Sequence, residues 1–269
     1  MSSKVVEQGR LGDGLAYFRV GAGRPLIYLP GLTTHHRPPH GMDLRFQASQ
    51  LTPFARHREV WWVQRKEGLA PGTTMTDIAR DYAAALGGRF EGPVDVVGSS
   101  TGGSVALQLA ADHPGAVRRL VLLSSACRLG ESGRAAQRSY ARLLRQGRTR
   151  QANALMMSML AAGELSGWLL ARLGWMLGLT LKSEDGFSDM LAIIEAEDAF
   201  DLTDQLRGIT TPTLVVGGAK DRFYGADVFR ETASGLPSGR LLLYPTRGHA
   251  GTQTGRTTTT EVLRFLDSE

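Results

Sequence analysis

Short apolar runs, each closed by Gly or Pro, alternate along the first half of this chain with longer stretches of helical spacing. Leu26 to Leu29, Val60 to Val63, Val94 to Val97 and Leu120 to Leu123 are rich in Val, Ile, Leu and Trp, which predicts buried strands. Between the later runs, Thr76 to Leu86 and Thr101 to Asp112 carry apolar or small residues at a helical period. Strands that alternate with helices predict parallel pairing through right-handed crossovers. The rhythm returns late in the chain with a strand at Leu214 to Val216, a helix around Ala226 to Ser234, a strand at Arg240 to Tyr244 and a last helix to about Leu266. Near the start, Val5 to Val20 reads as a hairpin turning at Gly12-Asp13-Gly14.

From Arg128 to Gly208 the strand pattern stops, and helical spacing carries Trp168 and Trp175 with Met156, Met157, Met159 and Met176. The predicted architecture is therefore α/β: a mostly parallel central sheet flanked by helices, formed by residues 1–127 and 209–269, with an inserted helical cap at 128–208. A length of 269 residues with 42% hydrophobic content suits one large domain with such an insertion. The 31 basic and 26 acidic residues are dispersed, leaving a net charge of +5 without the cluster that tracks a nucleic-acid backbone. Nucleic acid is accordingly excluded as the expected partner. The longest uncharged apolar stretch, Gln151 to Gly163, is too short to span a bilayer. One cysteine, Cys127, permits no internal disulfide, and the opening MSSKVVEQGR lacks the apolar run of a secretory leader. Both features make the cytoplasm the expected location.

Gly98-Ser99-Ser100-Thr101-Gly102 matches G-x-S-x-G, a pattern short enough to arise by chance. Its context carries more information, because it begins where a predicted strand ends and runs directly into a predicted helix. An ordinary Gly/Ser turn is the alternative. A serine hydroxyl is a weak nucleophile until a base takes its proton, and that base needs an acid to fix its tautomer. Here the chain resembles the α/β-hydrolase family, whose order along the sequence is serine, acid, histidine. The resemblance covers Leu26 to Ser125 and Thr213 to the C-terminus, but not the cap.

That resemblance implies Ser100 as nucleophile, Asp221 as the acid after Gly217-Gly218-Ala219-Lys220, and His249 as the base in Arg247-Gly248-His249-Ala250. A salt-bridged loop carboxylate and a loop histidine are the plainer readings of the last two. Asp95 competes less well because it lies inside a strand, and His57 and His113 do not follow a late strand. Two backbone N–H groups are implied as the oxyanion hole: that of Thr101, and that of Leu32 in Leu29-Pro30-Gly31-Leu32, where Pro30 replaces the family's frequent histidine.

Family members with aspartate at the nucleophile position are haloalkane dehalogenases and epoxide hydrolases, and those with cysteine are dienelactone hydrolases; a serine implies an acyl-serine intermediate. The expectation is a cofactor-free serine hydrolase cleaving a small carboxylic ester, lactone or thioester with a hydrophobic acyl or alcohol group. Met156, Met159, Trp168 and Trp175 are the candidate apolar pocket residues, with plain packing as the alternative, and His35 borders the site. His35, His36 and His40 are joined by no cysteine or carboxylate, so no metal is expected. Arg134, Arg138, Arg142 and Arg145 fall on one helix face. Such a stripe is ordinarily a solvated face; the sharper reading is a docking strip for a carrier protein or coenzyme A, and a salt-laced face opposite Glu195, Glu197, Asp198, Asp201 and Asp204 explains both runs as well. The docking reading would make the protein a thioesterase, acyltransferase or lactone-forming enzyme. A non-catalytic ligand-binding member of the fold is the remaining alternative. Cys127 reads as packing.

Overall fold

In the computed structural model, which describes residues 5–179 and 186–268, the apolar runs pair into one eight-stranded sheet. In chain order the strands are β1 (Val5–Leu11), β2 (Leu15–Val20), β3 (Pro25–Leu29), β4 (Glu59–Val63), β5 (Val94–Ser99), β6 (Val117–Leu123), β7 (Thr213–Gly218) and β8 (Gly239–Tyr244). Their spatial order is β1-β2-β4-β3-β5-β6-β7-β8. The hairpin β1–β2 and the β2–β4 pair are antiparallel, and every later pair is parallel. The helices are α1 (Gly41–Ala55), α2 (Met75–Gly87), α3 (Thr101–Asp112), α4 (Glu131–Arg145), α5 (Thr149–Met159), α6 (Glu164–Leu177), α7 (Ser188–Asp198), α8 (Ala226–Gly235), α9 (His249–Gln253) and α10 (Arg256–Asp267).

The uninterrupted apolar runs follow from burial on both faces. Ile27, Trp61, Val96 and Leu122 pack on one side with residues of α2, α3 and α8, while Leu26, Trp62, Val97 and Val121 pack on the other with α1 and α10. The chain steps outward from β3 to β4 and then back across β3 to β5, so strand order reverses between β3 and β5. A crevice at the carboxyl ends of the strands is expected at such a switch point. Leu29 pairs with Gly98 there, bringing the end of β3 beside the turn at Ser100.

Helix α1 corrects the sequence reading, which left this segment without an element. Pro53 lies inside it and only Ala48, Leu51, Phe54 and Ala55 are buried, so its helical stripe is faint. Between β6 and β7 the described residues form helices α4 to α7 and no strand, apart from an isolated bridge from Arg128 to Asp201. Helix α6 lies close on α5 because Gly174 has no side chain; a Cβ there would sit 2.6 Å from the Asn153 carbonyl oxygen. Its other stripes, with Leu165, Trp168, Leu169 and Trp175, face outward. No described helix is long and apolar enough to cross a membrane.

Candidate active site

The sharp turn between β5 and α3 is built on a strained residue. Ser100 has φ 51° and ψ −127°, a conformation that costs a non-glycine residue on the order of 1–3 kcal/mol. Hydrogen bonds from its neighbours hold it there: Ser100 N–H donates to the Leu123 carbonyl at 2.9 Å, and Gly103 N–H donates to the Ser100 carbonyl at 2.7 Å. Two glycines make the turn possible by letting backbones touch. A Cβ on Gly98 would lie 2.5 Å from the Gly102 carbonyl oxygen, and one on Gly102 would lie 2.2 Å from that of Leu29. The hydroxyl of Ser100 is thereby lifted above the carboxyl edge of the sheet, and the N–H of Thr101 becomes the first of a helix N-terminus, where it lacks an intrahelical partner.

Asp221 and His249 arrive from the loops after β7 and β8. The Asp221 carboxylate is buried, accepts the Phe223 N–H at 2.8 Å through Oδ1, and lies 2.8 Å from His249 Nδ1 through Oδ2. His249 Nε2 lies 3.0 Å from Ser100 Oγ. A carboxylate can only accept, so Nδ1 carries the proton and Nε2 is left to accept the hydroxyl. The imidazole is further held by the ring of Phe223 at 4.7 Å, by the parallel ring of Tyr224 at 6.1 Å, and by Ser124 Oγ donating to the His249 carbonyl at 3.0 Å. Burial pushes the Tyr224 phenol well above its ordinary value, so a neutral ring flanks the histidine. The three residues read from the sequence are thus brought into one hydrogen-bonded line. Asp95 stays away from it, paired with Arg118 and Arg58.

A cavity of about 470 Å³ opens above Ser100. Its lining is mixed, with apolar Met156, Met157, Leu160, Met190 and Phe223 and polar Thr33, Thr34, Gln47, Gln64 and Asn153. Of the expected pocket residues, Met156 and His35 line it. The other three are corrected. Met159 is buried in the main core, and Trp168 and Trp175 are 54% and 46% exposed on the outer surface of α6, along a separate groove with Arg172 and Met176. Their displacement follows from the glycine contact: the stripe of α6 bearing Gly174 packs inward, which turns the tryptophan stripe to the outside.

Two charged residues of this site were not read as such from the sequence: Arg65 was not singled out, and Glu197 was placed on the acidic face opposite the arginines, which its burial corrects. Glu197 on α7 is fully buried; its Oε2 accepts from Thr101 Oγ1 and Gln137 Nε2, and its Oε1 from Ser104 Oγ, all at 2.8 Å. The cue was present, since Glu197 stands four residues after Ile193 and seven after Met190, both buried on α7. Arg65, just past β4, is also buried, and it donates to the carbonyls of Pro30 and Gly31 in the loop over Ser100. Burial pulls its pKa below the ordinary arginine value, while nearby Glu197 and Asp189 oppose that shift. His36 is engaged by Arg65 and by the Lys66 carbonyl. Part of the acidic run laces the arginine face: Arg138 Nε donates to both oxygens of Asp198 at 2.8 and 3.0 Å, and Arg145 pairs with Glu195, whereas Asp201 is bonded to Thr203. Cys127 is buried, and that burial raises its thiol pKa.

Comparison with known proteins agrees with the fold. The model of the alpha/beta hydrolase family matches residues 26–256. A candidate non-heme bromoperoxidase, BpoC, of Mycobacterium tuberculosis is 28% identical over 270 residues, covering 94% of this chain and 98% of that protein. A candidate carbamate hydrolase, RutD, of Variovorax paradoxus is 30% identical over 205 residues, covering 73% of this chain and 76% of that protein. Among solved structures, an esterase of Exiguobacterium antarcticum superposes with a TM-score of 0.75 at 18% identity, covering 97% of this chain and 99% of its own. At that identity the likeness speaks for the fold alone.

Proposed function

Since this chain belongs to the alpha/beta hydrolase family, we propose that it is a serine hydrolase that cleaves a small carboxylic ester, lactone or thioester through an acyl-serine intermediate. The observation that carries this reading is the line from Ser100 Oγ to His249 Nε2 at 3.0 Å and from His249 Nδ1 to Asp221 at 2.8 Å, mounted on a strained strand-to-helix turn. In the proposed reaction His249 takes the hydroxyl proton as Ser100 Oγ attacks the carbonyl carbon, and Asp221 stabilises the imidazolium. The oxyanion is held by the N–H groups of Thr101 and Leu32. His249 then returns the proton to the leaving group, and water, activated by the same base, releases the acid. The cavity's mixed lining supports an amphipathic substrate, since apolar Met156 and Met190 and polar Thr33 and Asn153 all face it. A carbamate carbonyl, named for the relative RutD, would suit the same chemistry. Residues 128–208 serve as the cap in this reading. Carrier docking is less well supported, since Arg138 and Arg145 are taken up by carboxylates.

Turnover of p-nitrophenyl esters by wild type and Ser100→Ala tests the proposal. The variant is expected to lose about 10⁴-fold or more in kcat, and a fluorophosphonate is expected to label the wild type at Ser100 only. Undiminished turnover by the variant would remove Ser100 from the mechanism.

A further inference from the structure

Arg65 presents an energetic puzzle whose answer lies in the loop it holds. Its side chain is buried, yet its four hydrogen bonds among the described residues end on neutral acceptors: Nη1 on the Pro30 carbonyl at 3.0 Å, Nη2 on the Gly31 carbonyl at 2.7 Å and on Thr33 Oγ1 at 3.2 Å, and Nε on His36 Nε2 at 3.1 Å. Taking a guanidinium out of water costs several kcal/mol, and the attraction of nearby Glu197 and Asp189, neither of which it bonds, offsets only part of that. A loop that needed only tethering could be held by an uncharged amide.

The charge matters because of which peptide it touches. The Gly31 carbonyl and the Leu32 N–H belong to one amide group. A cation on the amide oxygen draws electron density toward that end, and hydrogen bonds in series strengthen one another in a poorly solvated site. The same segment lies directly against the serine: a Cβ on Gly31 would be 3.2 Å from Ser100 Cβ and 3.9 Å from its Oγ. His36 is arranged to leave an acceptor for the arginine, since its Nδ1 lies 2.9 Å from the Lys66 carbonyl, which can only accept; Nδ1 therefore carries the proton and Nε2 is bare. Asp189 stands 3.8 Å from the same Nδ1 and takes the Leu69 N–H at 2.8 Å, which ties the arginine's support to α7.

We propose that Arg65 is a positioning residue that fixes residues 30–33 over Ser100 and polarises the Gly31–Leu32 peptide, so that the Leu32 N–H binds the oxyanion more strongly than an unassisted amide. This rests on the reading of Ser100 as nucleophile and of Leu32 as an oxyanion donor.

The test uses Arg65→Met and Arg65→Lys in the full chain. It measures kcat and KM for p-nitrophenyl acetate, and inhibition by a trifluoromethyl ketone, whose serine adduct carries an oxyanion, and by the matched methyl ketone, which mimics only the ground state. Removing one oxyanion donor outright costs about 10²–10³ in kcat, so weakening one should cost roughly 30- to 300-fold in Arg65→Met. The trifluoromethyl ketone should lose affinity by a similar factor, while KM and methyl ketone affinity stay within about threefold. Arg65→Lys, which keeps a cation with fewer donors, should fall between. Loss of packing alone would not make kcat and trifluoromethyl ketone affinity fall in parallel at constant KM. A folded Arg65→Met with wild-type kcat, or one whose kcat falls while trifluoromethyl ketone affinity holds, would overturn the proposal. If Arg65→Met does not fold, Arg65→Lys decides by the same constants: parallel losses support the proposal and wild-type values overturn it. Ser100→Ala separates the two levels. Turnover surviving in it removes the underlying mechanism, whereas its loss beside wild-type constants in the Arg65 variants removes the role of Arg65 alone.

Discussion

Replacing Gly102 by alanine adds one methyl group at the point where the strand before the proposed oxyanion loop touches the helix after Ser100. That Cβ would lie 2.2 Å from the Leu29 carbonyl oxygen and 2.5 Å from that of Pro30, whereas ordinary contact begins near 3.4 Å. Both neighbours are backbone, so no rotamer change relieves the overlap, and the end of β3 must separate from α3 by about 1 Å. Overpacking of this kind costs about 1–3 kcal/mol. For a chain of this length the melting temperature should fall by roughly 2–10 °C. The larger effect is on turnover. Ser100 moves with α3 and Leu32 with the end of β3, so the separation opens the gap between the proposed nucleophile and one oxyanion donor, and a misplacement of about 1 Å can cost on the order of 10²-fold. Steady-state kinetics on p-nitrophenyl acetate with a thermal melt measure both quantities. Gly115→Ala, where a Cβ meets nothing within 4 Å, serves as the control and should change neither. A Gly102→Ala protein with kcat within about threefold of wild type and an unmoved melt would show that this close approach does not set the site's geometry.

Glu197→Ala should destabilise the protein by about 2–4 kcal/mol. It leaves the hydroxyls of Thr101 and Ser104 and the amide of Gln137 without their acceptor, at about 1–3 kcal/mol each, and this is partly offset by the relief of a buried carboxylate. A melting temperature equal to or above wild type would contradict that accounting. Trp175→Ala should leave kcat/KM for a hexanoate ester within about twofold because Trp175 lies outside the cavity, whereas Met156→Ala should lower it roughly 3- to 10-fold through lost apolar contact; equal effects would refute the assignment of the cavity wall. Burial pushes the Tyr140 phenol from 10.0 up to about 12. Between those values the unfolded chain has lost the proton that the folded one keeps, so the tyrosine's contribution is complete below pH 10 and disappears as pH rises through about 12. Urea midpoints for wild type and Tyr140→Phe should converge or cross over that window, and a constant difference would refute it.

What could be read from the chain beforehand depended on whether local pattern and spatial role coincide. The strands were legible because burial on both faces makes each an unbroken apolar run, as in Val94–Ser99. Ser100 stood out by its place between a strand and a helix, and Asp221 and His249 followed from the family resemblance; parallel topology puts the ends of β5, β7 and β8 at the same edge of the sheet, so order along the chain becomes proximity. Helix α1 was not, since a helix that buries four residues around an internal proline has little periodic signal. Trp168 and Trp175 were misplaced because composition says that a helix is apolar but not which stripe faces in. The small residue at Gly174 decided that, by letting the backbones of α5 and α6 approach.

Arg65 and the role of Glu197 escaped for a different reason, which bears on how such sites are built. Each is a charge that burial would make costly if left unmatched, and each is matched by groups distant in sequence: Thr101 lies 96 residues before Glu197, and Pro30 lies 35 before Arg65. No local window contains both halves of either arrangement. Yet one half is visible in each case, a glutamate on the apolar stripe of α7 and an arginine at the carboxyl end of a buried strand. A charged residue on an element's buried side implies donors or acceptors elsewhere that exist to meet it. Here the two sets of partners are Thr101 and the Pro30–Gly31 segment, the two stretches of backbone that flank Ser100 and supply the proposed oxyanion donors. The carboxylate and the guanidinium therefore brace the two halves of the proposed oxyanion hole from behind, and α7, which carries Glu197 directly and reaches Arg65 through Asp189 and His36, links both.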